Sequence, residues 1–192
     1  GVTPVVTPNE ASDVPFMVTP SPAPTPTRGR SYFYQDNTAC SEGFSFRDLK
    51  PGLTNKWYTF TPLDLSVDAE MAISLIASNL YRIGTVNAVI SNGSVTVTYQ
   101  VAEGILVKSE FMTLLPSLDD VREVEPSLLS SSALPFGRPA SIIQDLSGDT
   151  KVLLLYVNLV VDYNGNEKGI ERFSARSPAH IAFLRTLKPL LD

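Results

Sequence analysis

The sequence predicts an α+β domain, in which an antiparallel, meander-rich sheet carries a C-terminal helix packed on one face. Three observations predict this fold class. Two alternating runs flank Asn92-Gly93, residues 152–161 form an apolar run, and residues 177–188 carry the capping signals of a helix. The chain has 192 residues, of which 43% are hydrophobic and 18% charged, and its length and composition both suit one globular domain.

Residues 1–28 differ in composition from the rest of the chain. They hold seven of the fifteen prolines, separated mainly by threonine, serine, valine and alanine. Proline lacks a backbone donor and keeps itself and the residue before it extended, which disfavours helices and central strands. We therefore expect a disordered, Pro/Thr-rich stalk or linker over residues 1–28 and a single globular domain over residues 29–192.

The two runs around Asn92-Gly93 predict a β-hairpin. Asn-Gly supplies both positive φ angles of a type I′ turn, whose twist matches that of paired strands. With a two-residue turn, every cross-strand pair on one face is apolar or small. The hairpin is therefore expected to have one buried and one solvent-exposed face. The pairs on the buried face are Ile90–Val95, Ala88–Val97, Val86–Tyr99 and Gly84–Val101.

Further strands follow from alternation and from apolar runs. Residues 105–115 come after a turn and are expected to be the third strand of the same meander. Residues 57–61 place Tyr58 and Phe60 on one side and Trp57 on the other. Residues 152–161 are apolar on both faces, which predicts a strand in the middle of the sheet. We expect the chain to hairpin back from it through residues 170–173.

The segment over residues 68–83 fits two patterns. Alternating apolar residues indicate a strand, whereas a stripe at helical spacing indicates a helix. The strand pattern is Met71, Ile73, Leu75 and Ala77; the helical stripe is Ile73, Ile76, Ala77 and Leu80. We favour the helix. A strand here is the feature that leads to the alternative fold class, a two-sheet β-sandwich.

Two further segments predict helices. Ser177 is a good N-cap and Pro178 suits the first helical position of a C-terminal helix that ends before Pro189. The apolar face of this helix is expected to be Ile181, Leu184 and Leu187. A second, short helix is expected to begin after Ser117 and to end at Pro126, followed by an irregular loop over residues 126–141.

Composition excludes several classes of function. A net charge of −5 and a pI of about 4.9 argue against a nucleic-acid partner, which requires a concentrated basic face. One cysteine and one histidine exclude a disulfide framework, a cysteine zinc site and His-rich metal sites, so no metal or other cofactor is expected. The longest apolar run is far shorter than the ~20 residues of a transmembrane helix, so no transmembrane segment is expected.

The sequence contexts of His180 and Cys40, the two side chains best suited to nucleophilic chemistry, do not favour catalysis. His180 falls in the first turn of the C-terminal helix, where the helix dipole disfavours a charged imidazole, so we expect it to be neutral and packed on the sheet. No Gly-x-Ser-x-Gly motif accompanies it. Cys40 lies among polar residues without a basic neighbour closer than Arg47, so we expect an inert thiol.

An acidic cluster is a candidate site. Asp119, Asp120 and Glu123 are residue types that serve as paired carboxylates in glycoside hydrolysis or as ligands to a divalent cation. The same residues also suit the first turns of a helix capped by Ser117, which is the competing explanation. Residues 162–173 begin like a calcium loop but lack its glycine and its terminal acid, so we interpret them as a turn.

Aromatic side chains are concentrated early in the domain. Eight of the seventeen aromatic residues are Tyr32, Phe33, Tyr34, Phe44, Phe46, Trp57, Tyr58 and Phe60. Strands favour aromatic residues, so most of this set is expected to fill the core. Trp57 is the exception that we select as a candidate ligand-binding residue, because it is expected on the more polar side of its strand.

These observations favour an extracytoplasmic, non-enzymatic binding module, secreted or anchored to the envelope, whose unknown ligand is a glycan or a peptide. A Pro/Thr-rich spacer ahead of a compact domain resembles the architecture of bacterial secreted proteins and surface lipoproteins. One alternative is a secreted hydrolase that uses acidic residues such as Asp119 and Glu123. The other is a purely structural domain of the envelope.

Overall fold

The structure is a computed structural model that describes residues 33, 36–92, 94–120, 139–140, 151–163 and 170–192. The predicted stalk over residues 1–28 lies outside this part of the chain. The strands are β1 (Thr38–Ser41), β2 (Phe44–Ser45), β3 (Thr59–Asp64), β4 (Ala69–Ala77), β5 (Tyr81–Ser91), β6 (Ser94–Val101), β7 (Ile105–Leu115), β8 (Pro139–Ala140), β9 (Val152–Tyr163) and β10 (Glu171–Arg172). The helices in the described part of the chain are α1 (Phe46–Leu49) and α2 (Pro178–Leu187), with 3-10 turns at Leu118–Asp120 and Lys188–Leu191.

The described strands form one curled, antiparallel sheet in which β9 is central, and α2 packs on it, so the predicted α+β class is confirmed. One edge of β9 pairs with β3 near its start and with β1 near its end. The other edge pairs with β7 along almost its whole length. From β1 the sheet continues through β4, β5 and β6 to β8. The prediction that residues 152–161 form a covered, central strand is therefore confirmed.

The hairpin of β5 and β6 has the register that the sequence predicts. Ile90 pairs with Val95 and Gly84 with Val101, and the five pairs between them also agree. Asn92 has a φ of 51°, as the predicted turn requires. The predicted inward face is buried along both strands except at the Gly84–Val101 pair, which is half-buried like the opposite face.

The helix that we favoured over residues 68–83 is wrong, because the segment forms β4 and the start of β5. β4 pairs with β5 along one edge and with β1 along the other. Leu75 and Ala77 face one core, whereas Ile76 is buried on the opposite side of the strand. An end of β4 that is covered on both faces thus produced the apolar spacing that resembles a helical stripe.

Two strand neighbours also differ from the prediction. β7 is a strand, as expected, but it pairs with β9 rather than with β6. The side chains of Tyr99 and Glu110, which are hydrogen-bonded, connect β6 and β7 instead. β10 pairs with β5 and not with β9. Both differences have one reason: the apolar central strand β9 needs backbone partners along both of its edges. β7 pairs with one edge instead of with β6. β3 and β1 occupy the other edge, so β10 pairs elsewhere.

Alternate side chains of β9 contribute to two hydrophobic cores. We call the one enclosed by the curled sheet the inner core; it includes Leu153, Leu155 and Val157. We call the one on the other face the outer core; it includes Leu154 and Tyr156. The rest of the outer core comes from β1 to β3, α1, β7 and α2: Cys40, Phe44, Phe46, Tyr58, Phe60, Phe111, Leu115 and Leu187.

Helix α2 begins as predicted. Ser177 is its N-cap, accepting a hydrogen bond from the His180 backbone N–H at 3.2 Å, and Pro178 is its first residue. The predicted buried face is partly wrong, because Ile181 is 40% exposed. The face toward the protein is instead His180, Phe183, Leu184 and Leu187. The apolar stripe alone misplaced the face, because a polar residue, His180, begins it.

Candidate functional site

A cleft of about 220 Å³ lies where the β1–β2 turn, α1, the residues before β3 and the start of α2 meet. Its wall combines aromatic, charged and small residues. The lining that matters chemically is Glu42, Gly43, Arg47, Asp48, Trp57 and His180. Phe44 and Phe173 contribute further aromatic surface. This cleft is the candidate functional site.

Glu42 and His180 form a buried pair in the wall of the cleft. The Glu42 Oε2 atom lies 2.6 Å from Nδ1 of His180, and the two residues are only 8% and 7% exposed. The Glu42 backbone is held on both sides, since its N–H donates to the Ser74 carbonyl at 2.8 Å and its carbonyl accepts from Thr61 Oγ1 at 2.9 Å. The pair joins the start of α2 to the sheet.

Arg82 of β5 compensates the buried carboxylate from its other side. Its Nη1 atom lies 3.6 Å from Oε1 of Glu42, and Nη1 also donates to the Ser74 hydroxyl. The Arg82 guanidinium also forms an ion pair with Glu171, in which Nε lies 3.1 Å from Oε2, and it lies over the ring of Phe173. A carboxylate in so little contact with water needs such partners, because burying an unpaired charge costs several kcal/mol.

The geometry assigns the hydrogens of the His180 ring. A carboxylate accepts hydrogen bonds and does not donate them, so in the neutral imidazole Nδ1 carries the hydrogen and donates it to Glu42. The Nε2 atom is then an acceptor. Among the described residues nothing donates a hydrogen bond to it, and His180 lines the cleft.

Gly43 allows Glu42 to reach its position. A Cβ atom at residue 43 would lie 1.8 Å from the Phe60 carbonyl oxygen, a distance that no real contact tolerates. The β1–β2 turn therefore approaches β3 more closely than any other residue type would permit. This close approach places Glu42 beside α2.

Trp57 lies two residues before β3, which begins at Thr59 rather than at residue 57. Its ring is half-buried against the outer core and lines the cleft. The indole Nε1–H donates to Asp36 Oδ2 at 2.5 Å. The Trp57 and Tyr58 rings pack in a T-shaped arrangement, with their centroids 5.6 Å apart. The candidate ligand-binding residue thus presents a fixed ring to the same cleft as His180.

The rim of the cleft carries one charge of each sign. Arg47 and Asp48 both belong to α1, and their charged groups are 4.0 Å apart. Arg47 also donates to the Asn55 carbonyl at 3.1 Å, and the Asp48 backbone N–H donates to its N-cap, Ser45. Arg82 lies beside the buried Glu42, and Arg47 and Asp48 offset each other, so the cleft carries no concentration of one sign of charge.

Of the acidic cluster predicted from the sequence, Asp119 does not line this cleft. Asp119 is almost fully exposed and forms an ion pair with Lys50 at 3.1 Å, while its backbone N–H donates to Ser117 Oγ. Asp120 ends the 3-10 turn, and Glu123 lies outside the described residues. Within the described ranges, no three His, Cys, Asp or Glu side chains are grouped to hold a metal ion.

Cys40 is fully enclosed in the outer core. Burial raises the pKa of its thiol far above the ordinary value, because the charged thiolate would lose its hydration. Cys40 therefore supplies no thiolate near neutral pH.

Sequence reasoning missed Glu42 and Arg82. The available signal was a glutamate followed by glycine between two short β-type runs, in the segment Cys40-Ser41-Glu42-Gly43-Phe44. That signal indicates a turn, and solvent exposure is the usual fate of a turn glutamate. The pairing of residue 42 with residue 180 comes from the topology of the sheet and has no local signature.

Comparisons of the chain with protein-family models, with curated proteins and with solved structures found no match. None of the helices in the described part of the chain is long and apolar enough to span a bilayer.

Proposed function

We propose that this chain is an extracytoplasmic, non-enzymatic binding module, secreted or anchored to the envelope, and that the cleft beside Trp57 and His180 is its ligand site. The observation that carries the proposal is that a fixed aromatic ring and a buried, oriented imidazole line the same cleft. Ligand sites typically combine an apolar wall with a few polar groups held in place by their neighbours.

The surroundings of His180 support binding rather than covalent chemistry. A catalytic imidazole of the nucleophilic type activates a hydroxyl or thiol within hydrogen-bond reach. Among the described residues, no side-chain hydroxyl or thiol bonds to the His180 ring, which contacts the Glu42 carboxylate instead. The hydrolase alternative has less support, because Asp119 is exposed and paired with a lysine outside the cleft.

The extracytoplasmic location is supported by composition alone. A Pro/Thr-rich segment such as residues 1–28 is typical of a spacer that holds a domain away from its attachment point. The location is tested by treating intact cells that express the full-length gene with an external protease. Loss of the domain from intact cells, or its recovery from the medium, is expected. Full protection until the cells are lysed would refute the proposal.

Binding is tested through Trp57, the only tryptophan in the chain. Its fluorescence is expected to respond to acrylamide and to shift when the protein is titrated with panels of envelope glycans and peptides. Trp57→Ala should weaken that binding at least about tenfold. Tyr81→Ala is the matched control, because Tyr81 is a half-buried aromatic residue outside the cleft. An unquenchable Trp57 that no panel member perturbs would refute the proposal.

A further inference from the structure

The chemistry of the cleft points to a class of ligand more specific than the proposed function alone. Charge is the first constraint. Arg47 and Asp48 oppose each other at the rim, and the Glu42 carboxylate is already paired with Arg82 and His180. Selective binding of a charged group needs an uncompensated charge of opposite sign. The cleft therefore favours a neutral ligand.

Hydrogen bonding is the second constraint. In the neutral imidazole the hydrogen lies on Nδ1, toward Glu42, so Nε2 offers a lone pair in a largely buried setting. A buried acceptor without a partner costs free energy, so the ligand that fits is one that brings a donor to Nε2. A hydroxyl group is a neutral donor of this kind.

The aromatic wall is the third constraint. The Trp57 ring is fixed by its hydrogen bond to Asp36 and by its edge contact with Tyr58. The faces of an indole are negative, so they attract polarised C–H groups presented by a flat partner. At about 220 Å³ the cleft is smaller than a site for a drug-sized molecule, which limits the bound part to about one ring.

We infer that the cleft binds one neutral sugar ring of a glycan, with the C–H face of the sugar on Trp57 and a sugar hydroxyl donating to Nε2 of His180. This inference rests on the proposed binding function. A sugar ring meets all three constraints, because it is uncharged, carries a C–H face and bears hydroxyl donors around its edge. A peptide is the competing ligand that the experiment must separate from it.

The experiment titrates the full chain, by calorimetry and by Trp57 fluorescence, with the trisaccharides cellotriose, maltotriose and chitotriose, with a triuronic acid and with a tripeptide library. At least one neutral trisaccharide is expected to bind and to shift Trp57 emission. The triuronic acid and the peptides are expected to bind at least about tenfold more weakly.

His180→Asn isolates the role of Nε2. The asparagine side-chain nitrogen occupies nearly the position of Nδ1 and still donates to Glu42, whereas no atom replaces Nε2. Sugar affinity should fall about tenfold while the melting temperature changes little. Arg185→Ala, on the exposed side of α2, is the control and should leave affinity unchanged.

Each other outcome overturns a defined part of the argument. If peptides bind and Trp57→Ala abolishes that binding, the sugar inference fails and the binding function stands. Tighter binding of the triuronic acid than of the neutral trisaccharides would overturn the inference that the ligand is neutral. Sugar binding that His180→Asn does not weaken overturns the assignment to Nε2. If no probe binds and Trp57 is shielded from quenchers, both the inference and the proposed function fail.

Discussion

The two faces of β9 differ in what their cores contain. The inner core is almost entirely aliphatic where β9 meets it, through residues such as Leu153, Leu155 and Val157. The outer core is rich in aromatic rings, and the buried pair of Glu42 and His180 lies beside it. One face is closed by the curl of the sheet, whereas the other borders the cleft.

The difference between the two cores predicts how much each contributes to the stability of the domain. A closed aliphatic core gives stability through burial and close packing. A core that includes polar pairs gains less from burial, because each buried polar group must first recover the hydrogen bonds it made with water. The inner face should therefore contribute most to the stability of the domain, whereas the outer face borders the cleft that we propose as the ligand site.

The largest expected effect is in the inner core. Leu155 is fully buried, so Leu155→Ala should lower the free energy of unfolding by about 4 kcal/mol, through lost burial and a closed cavity. Its neighbour Leu154 belongs to the outer core and lines an open groove of about 390 Å³. Leu154→Ala therefore leaves no closed cavity and should lower the free energy of unfolding by about 2 kcal/mol. Urea denaturation measures both. Equal losses would contradict the proposed difference between the two faces.

The next effect concerns the polar pair of the outer face. Glu42→Ala should cost about 3 kcal/mol, because Arg82 and His180 lose the carboxylate that both of them contact. Glu42→Gln keeps an acceptor and the shape, so its cost should be about 1 kcal/mol. A double-mutant cycle with His180→Ala should give a coupling energy between about 0.5 and 3 kcal/mol. A coupling energy near zero would show that the contact does not stabilise the domain.

The smallest effect tests the hairpin that lines the inner core. Asn92 has a φ of 51°, which a β-branched residue adopts only with strain. Asn92→Val should therefore cost between about 1 and 3 kcal/mol, whereas Asn92→Gly should be nearly neutral. Thermal unfolding of the three proteins provides the measurement. Unchanged stability of the valine variant would contradict the turn geometry.

The elements that the sequence predicted correctly are those set by local chemistry. Asn92-Gly93 and the alternation around it determine the hairpin register, and Ser177-Pro178 determines where α2 begins. The errors came from long-range pairing. Ile76 resembled part of a helical stripe because β4 is covered on both faces at that end.

The candidate site was predicted only in part. Trp57 was selected because its side of the strand should have been polar, and the ring does line the cleft. Glu42 was missed because its partners, Arg82 and His180, lie on distant segments of the chain. His180 was expected to pack on the sheet, which it does, but the carboxylate that orients it has no signature in the sequence.

The central place of β9 also affects how this protein is made. The strands that flank β9 all precede it in the chain, with β1 beginning at Thr38 and β7 ending at Leu115. Until residue 163 has been synthesised, the edges of β1, β3 and β7 lack their shared partner. Unpaired strand edges recruit other chains, and pairings between distant segments form slowly. The nascent chain is therefore most prone to aggregation just before β9 emerges, and a fragment that ends before residue 152 should be insoluble.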